Sequence, residues 1–298
     1  MAASPYTDLT RPPLSQAALR RAVVRTGALW TDVRVVPRTA STNADLVAAA
    51  REGAAEGAVL VAEHQTAGRG RLGRGWESPP RAGLTLSLLA RPGAPVPDRG
   101  WPALPPSRYG WLPLLAGVAL ADAVRRLGEV SAVLKWPNDL LVGGRADATG
   151  GQRGDAPAAP LRKCAGVLAE VVPDGAVVIG IGLNVSLRAD ELARQDATSL
   201  TLSNSACTDR DPLLRALLRE FAAGYADWRA ADGDPDRSGL REDYLRWCDT
   251  LGRAVRVRLP GGEDLEGEAV DVDRDGRLVV ATTEGHTPVA AGDIVHVR

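Results

Sequence analysis

The densest chemistry in this sequence lies in QTAGRGRLGRGW, Gln65 to Trp76, where Arg69, Arg71 and Arg74 alternate with glycines. A guanidinium is a planar fork suited to carboxylates and phosphates, and glycine lets the backbone approach a ligand and close over it. The run therefore has the make-up of an anion clamp. Its bland counterpart is a solvated arginine loop or nucleic-acid tail, but a tail would be long and repetitive, and this run is short and single. Gly68, Gly70 and Gly73 also satisfy G-x-G-x-x-G, the dinucleotide fingerprint. The context refuses that reading. Trp76 leads into Ser78-Pro79-Pro80 instead of opening a helix, and the acid that should follow about twenty residues later is missing. No H-R-D or D-F-G element accompanies the glycines, so a protein kinase is excluded as well.

A second group is KWPNDLLV, Lys135 to Val142. Lysine and tryptophan at a strand end, followed by Pro, Asn and Asp in a turn, aim Lys135, Asn138 and Asp139 at one edge of a sheet; Asn-Asp after Pro is also simply a good turn. Of the 36 basic residues only two are lysines, Lys135 and Lys163. On a chain so committed to arginine, each lysine draws notice, because a compact ammonium and a planar fork are not interchangeable. Ser41-Thr42-Asn43 reads as a helix cap, and a cap also gathers free amide donors where an anion or carbonyl could bind. Gly180-Ile181-Gly182-Leu183-Asn184 closes an apolar strand with small residues, which suits either close sheet packing or a flat heterocycle.

These groups need elements to hold them. The pattern predicts a strand at 33–36, the Ser41–Asn43 cap with a helix stopped by Gly53, and strands at 58–63 and 83–90. Six prolines between residues 91 and 110 mark a surface connection. A helix from about Trp111 to Leu127 follows, then strands at 132–136, 139–142, 164–172 and 176–185 that form the core sheet. Residues 143–162 are too poor in apolar side chains to repay ordering and are expected to form a mobile, chemically inert insertion. Helical spacing returns at 212–229 and 239–248. From Gly252 short strands and turn glycines recur closely, as in a small barrel or meander, so the domains are expected to be 1–249 and 250–298.

Composition bounds the rest. The 298 residues carry 36 Lys plus Arg against 37 Asp plus Glu, a formal net charge of -1, which argues against a coat for nucleic acid or anionic membrane; any basic patch must be local. Cys164, Cys207 and Cys248 give neither a disulfide framework nor a zinc pattern, and a reducing compartment fits. With no apolar leader and no membrane-length run, a cytoplasmic protein is expected.

STN (41–43), AEHQTAGRGRLGRGW (62–76), KWPNDLLV (135–142), KCAGVLAEV (163–171) and GIGLNV (180–185), in this order, resemble the biotin protein ligases over most of residues 35–190. The segment ending in GDIVHVR is similar to their small C-terminal domain. The resemblance implies an α/β (α+β) fold: a mixed sheet flanked by helices, as in class II aminoacyl-tRNA synthetases, with a small Src-homology-3-like β-barrel. It implies biotin as substrate, ATP with Mg2+, and a two-step reaction through biotinyl-5′-adenylate to a lysine of a biotin carboxyl carrier protein. Carried over by position, Lys135, Arg69 and Arg71 are the catalytic candidates. Ser41, Thr42, Asn43, Gln65, Arg69, Gly70, Arg71, Lys135 and Gly166 would bind biotin; Arg71, Arg74, Trp76, Asn138, Asp139 and Asn184 would bind ATP or the adenylate. No metal ligand is assigned. Departures are Cys164 where an aliphatic residue is usual, Leu72 and Gly75 in place of residues often charged, and the long 143–162 insertion. Some relatives carry an N-terminal winged helix, but about thirty weakly basic residues are fewer than such a domain needs, so a ligase only is expected, with no nucleic acid or membrane partner, as a monomer or homodimer. The alternatives are a lipoate or octanoate ligase or transferase of the same fold, which would want a catalytic Cys or an apolar tunnel, and a non-catalytic biotin-responsive regulator.

Overall fold

A computed structural model describes residues 10–145, 160–259, 263–290 and 292–296. Ser15 caps α1 (Gln16–Val23), a helix the sequence reading passed over, and the chain then runs through β1 (Asp32–Val36), α2 (Thr42–Arg51), β2 (Ala58–Ala62) and β3 (Gly83–Ala90). After α3 (Trp111–Gly128) come β4 (Val130–Lys135), β5 (Asp139–Arg145), β6 (Arg162–Val171) and β7 (Val177–Asn184), then α4 (Arg210–Ala230) and α5 (Leu240–Trp247). These strands form one seven-stranded sheet in the order β1-β2-β3-β7-β6-β5-β4. Only β1 and β2 pair parallel, across the α2 crossover. The expected insertion is trimmed at both ends, since β5 reaches Arg145 and β6 begins at Arg162; residues 146–159 lie outside those described.

The sheet has two different faces. On one, Leu84, Leu86, Leu88, Val167, Ile179, Ile181 and Leu183 pack into the main core against α3 and α4. On the other, Leu46 and Ala50 of α2 cover Leu60, Leu89 and Val178, but α2 is only 10 residues long and leaves the rest of that face to loops. All eight positions of β3 are buried, as a strand covered on both sides requires.

The proline-rich stretch is not a mere surface connection. Trp101, Leu104 and Tyr109 are buried, and Arg229 of α4, 0% exposed, donates to the carbonyls of Ala94 (2.8 Å) and Pro102 (3.0 Å) and to Tyr225 Oη (3.0 Å). The prolines cannot donate, and Arg229 engages carbonyls of their segment directly. Arg229→Ala is expected to destabilise the protein by about 3–5 kcal/mol, because buried partners lose a charged donor; a loss under about 0.5 kcal/mol in urea unfolding would show that water substitutes for the guanidinium.

β8 (Ala254–Arg258), β9 (Asp264–Val272), β10 (Leu278–Thr282), β11 (Gly285–Val289) and β12 (Asp293–His296) form a separate antiparallel sheet, ordered β11-β10-β9-β8-β12, of the small barrel-like kind. Two tryptophans tie it to the first sheet: Trp111 Nε1 donates to Arg274 O (2.8 Å) and Trp136 Nε1 to Gly276 O (3.0 Å). No helix among the described residues is long and apolar enough to cross a membrane.

Candidate active site

The uncovered part of the sheet is the floor of a cavity of about 470 Å³, within the range of small-molecule sites. One end is built by the start of α2. Ser41 Oγ accepts from Ala44 N (3.4 Å), so it is a helix cap that also lines the cavity. Gln65 Oε1 accepts from the Thr42 amide (2.7 Å) and hydroxyl (3.0 Å). Asn43 Nδ2 donates to Glu170 Oε1 (2.7 Å), and Ser87 Oγ lies 2.6 Å from Asn43 Oδ1 and 2.8 Å from Thr42 Oγ1. This end is a preorganised set of hydroxyls and amides, satisfied by one another in a buried setting.

The arginine loop forms the lid side. Gly70 N donates to Arg74 O (2.7 Å) and Trp76 N to Gly68 O (2.9 Å), so the loop closes on itself between β2 and β3. Its tip, Leu72, is 66% exposed and takes φ 55°, a left-handed conformation uncommon for a leucine. Arg69, Gly70, Arg71 and Arg74 line the cavity. Arg71 Nη1 reaches Asn138 Oδ1 (3.4 Å) and the Gly292 carbonyl (3.3 Å), which joins the loop to both the KWPND turn and the second sheet. Trp76 crosses the floor: a Cβ on Gly182 would run into its indole, and the ring edge lies 3.5 Å from where a Cβ on Gly166 would be. Gly166 and Gly182 are register partners on β6 and β7, so the pair leaves a flat shelf on which the ring lies. That close approach decides in favour of packing for the glycines the sequence left open. A Cβ on Gly180 would likewise collide with Asn43.

Asn138 donates to Val167 O (3.0 Å) and Asn184 to Thr198 O (3.0 Å), and both line the cavity beside Asp139. Lys135 does not. It sits at the end of β4, the edge strand, and borders a second pocket of only about 10 Å³ between the turn and Tyr244. The lysine in the cavity is Lys163, whose Nζ is 2.6 Å from Asp139 Oδ1. Lys135, expected here as the catalytic ammonium, is thus not among the cavity-lining residues: its strand lies two places out from β6, about 10 Å away at ordinary strand spacing.

Strict alternation would have placed Lys163 on the helix-packed face, three residues from Gly166. The strand breaks that rule. Asp139 pairs with Gly166 and Leu140 with Ala165, but Leu141 pairs with Lys163, so Cys164 is an extra residue in a β-bulge. The bulge turns Lys163 back to the cavity side, where its Nζ is 3.5 Å from the Cβ position on Gly166, a common use of bulges near active sites. Cys164 itself is buried and its thiol lies 3.3 Å from Asn184 O; burial pushes the thiol well above its ordinary pKa, which leaves it inert.

The far end is a segment the sequence reading did not single out: Leu187, Leu192, Ala193, Arg194 and Ala197. Its last residues pair alongside Lys163, with Lys163 N donating to Asp196 O (3.0 Å) and Thr198 N to Lys163 O (2.8 Å). Arg194 grips Asp196 at 2.8 and 2.7 Å, and that hydrogen bond holds the Asp196 carboxyl below its usual range. Counting the lining residues, five cations (Arg69, Arg71, Arg74, Lys163, Arg194) face two carboxylates (Glu77, Asp139). The local basic patch demanded by a net-neutral chain is here, and it is concave.

Comparison with known proteins agrees with this architecture. The Biotin/lipoate A/B protein ligase family model matches residues 35–185, and the Biotin protein ligase C terminal domain matches 250–297. A biotin--[acetyl-CoA-carboxylase] ligase of Mycobacterium tuberculosis is 43% identical over 98% of both chains. The chain belongs to the biotin/lipoate A/B protein ligase family. The bifunctional ligase/repressor BirA of Escherichia coli, within this same similarity, is 31% identical over 88% of this chain and 73% of its own. A biotin protein ligase from Aquifex aeolicus, solved in complex with biotin and ATP, has the same fold at 24% identity, with a TM-score of 0.67 over 90% of this chain and 100% of that one. The family membership accounts for the mixed sheet with its small C-terminal barrel. Roles of individual residues rest on the cavity described above.

Proposed function

We propose that this chain is an ATP-dependent biotin protein ligase: it joins biotin and ATP into biotinyl-5′-AMP with release of pyrophosphate, then passes the biotinyl group to a lysine of a biotin carboxyl carrier domain. One observation carries the reading, a 470 Å³ cavity with a hydroxyl-and-amide end, a flat aromatic floor and five cations between and around them. The polar end of Ser41, Thr42, Asn43 and Gln65 suits a ureido ring, which presents both donors and acceptors. Trp76 and Asn184 suit adenine. Asn138 and Asp139 lie at the junction, where the carboxylate meets the α-phosphate.

In the first step a biotin carboxylate oxygen attacks the α-phosphorus, and the bond to pyrophosphate breaks with the electron pair leaving on its oxygen. Two anions must approach each other, so the rate depends on fixed positive charge at the meeting point. Lys163 supplies it, held by Asp139, while Arg69 and Arg71 close from the loop. In the second step the carrier amine attacks the acyl carbon and AMP leaves. Among the described residues no group of three or more metal-ligating side chains occurs; Glu77 and Asp139 are the carboxylates of the cavity lining and are the residues that would face a magnesium ion arriving on the triphosphate. Such an ion would neutralise phosphate charge.

The lipoate or octanoate alternative would want a reactive thiol or an apolar tunnel; no cysteine is among the residues lining the cavity, and its lining carries seven charged side chains. We place the enzyme in the cytoplasm, where carrier domains and ATP are found together. The test is pyrophosphate release: it should require biotin and ATP together, and the carrier should gain one biotinyl group by mass. Release with lipoate but not biotin would refute the assignment. A further outcome follows from the lid. Arg71→Gly removes the link from loop to turn and second sheet, so biotinyl-adenylate should escape at least about tenfold faster and label lysines at random, since a tenfold change reflects only about 1.4 kcal/mol; unchanged retention in a filter-binding assay would contradict it.

A further inference from the structure

The segment that walls the far end of the cavity contains little regular structure of its own, only one 3-10 turn at Ala189–Glu191. Its two ends are fixed: Ser199 Oγ donates to Leu187 O (2.7 Å), and Asp196 O accepts from Lys163 N. At its middle is Glu191, flanked by the cavity-lining Leu192 and close behind Leu187. Arg11 grips this carboxylate with both arms, Nη1 to Oε1 at 3.1 Å and Nη2 to Oε2 at 2.6 Å, and Nη2 also donates to Ser186 O at 2.8 Å. The two side chains are 9% and 12% exposed, so this is a bidentate pair screened from water, the strong kind.

Arg11 is not a loose arm. Arg210 of α4 donates to Pro12 O (2.6 Å) and to Glu63 Oε2 (2.6 Å), and Glu63 Oε1 accepts from Leu14 N (2.6 Å). Glu63 directly follows β2 and precedes the Gln65 of the opposite cavity end. A continuous path thus runs from the central sheet through Glu63 and Arg210 to the segment carrying Arg11, and from there to Glu191. Neither Arg11 nor Glu191 lies within the stretches matched by the family models, 35–185 and 250–297.

We propose that Arg11 and Glu191 are positioning residues: their buried pair braces the 187–197 wall from behind and so sets how tightly the enzyme holds nucleotide and biotinyl-adenylate, without touching either. The proposal rests on the reading of the cavity as a biotin and ATP site, with the nucleotide at the 187–197 end. The pair acts on one end only. Ser41, Thr42, Asn43 and Gln65 are built from α2 and the loop after β2, and none of their hydrogen bonds passes through the brace. Once Arg11 is cut back, Glu191 keeps, among the described residues, the local amide of Arg188 (2.9 Å) and its 66% exposed side chain, neither of which ties it to the rest of the fold, and the wall gains open states that must be closed again before nucleotide can be held.

The experiment compares wild type, Arg11→Ala, Arg11→Lys and Glu191→Gln in the full-length protein. For Arg11→Ala and Glu191→Gln, KM for ATP and the release rate of biotinyl-adenylate should each rise about tenfold, equivalent to about 1.4 kcal/mol, with KM for biotin within about twofold of wild type. Arg11→Lys, which keeps charge without the fork, should fall between. The double variant should be no worse than Arg11→Ala, because both changes cut one interaction. Amide hydrogen exchange on the ligand-free protein gives the second readout: amides of 187–195 should exchange at least about tenfold faster in Arg11→Ala, with those of β3 and β7 unchanged. Equal rises in both KM values, or unaltered exchange over 187–195, would overturn the brace. Should Arg11→Ala fail to fold, Glu191→Gln and Arg11→Lys decide by the same criteria. A wild-type protein that made no biotinyl-adenylate would instead sink the reading of the cavity, while exchange would still report on whether Arg11 holds the wall.

Discussion

Lys163→Ala should lower the rate of biotinyl-adenylate formation by about 10²–10³, the usual loss when one preorganised charge is removed from a developing anionic transition state. Three features make Lys163 the group to remove. It is the lysine lining the cavity, its ammonium is 2.6 Å from Asp139 Oδ1 and so fixed, and its backbone is paired on both sides, with β5 and with the 196–198 stretch. Biotin binding should change much less than turnover, because the charge matters most where carboxylate and phosphate oxygens converge. Lys163→Arg should not restore the rate, since a planar fork cannot occupy the point position between Asp139 and the Gly166 shelf. Lys135→Ala is the informative control: its effect on the same step should be at least about tenfold milder. Single-turnover pyrophosphate release measures all three, and a Lys135 variant slower than the Lys163 variant would reverse the assignment.

Gly182→Ala should raise KM for ATP between about five- and 150-fold, the range associated with losing a base-to-aromatic stack of about 1–3 kcal/mol. The added methyl would occupy space now filled by the Trp76 indole, and the ring has only the cavity to move into. Stability should suffer less, because the ring sits on the open side of the sheet whereas the helix-packed core is on the other. Thermal unfolding within a few degrees of wild type, together with weak nucleotide binding by calorimetry, is the expected pattern. Wild-type affinity for ATP would mean that the indole shifts without consequence and is no adenine shelf.

The architecture was largely legible because period-two apolar runs bounded by Gly and Pro reveal strands directly, as at 83–90, and because Ser41 signals its helix by chemistry as well as position. What escaped has physical reasons. α1 is only eight residues long, and its buried face is just Leu19 and Val23, too short a run for helical spacing to stand out in the sequence. The proline-rich stretch was read as surface because its anchor, Arg229, is more than a hundred positions away and arginines are common in this chain. Of the cavity residues, the cap, the glycine-arginine loop and the Asn-Asp turn stood out by composition. Lys163 was conspicuous as one of two lysines, yet β-alternation pointed it the wrong way. The 187–197 wall offered no motif: its LRADELARQDA run mixes aliphatic and charged residues in no pattern that marks a site, and its placement comes from what stands behind it.

The extra residue at position 164 makes strand β6 intolerant of changes in length in a way that it is not intolerant of changes in letter. Any uncharged side chain of moderate size could stand in for the sulfur there and leave the ammonium where it is. Shortening the stretch between Lys163 and Gly166 by one residue would instead rotate the amine into the packed helices, and the cavity would lose its ammonium while keeping every other residue that lines it.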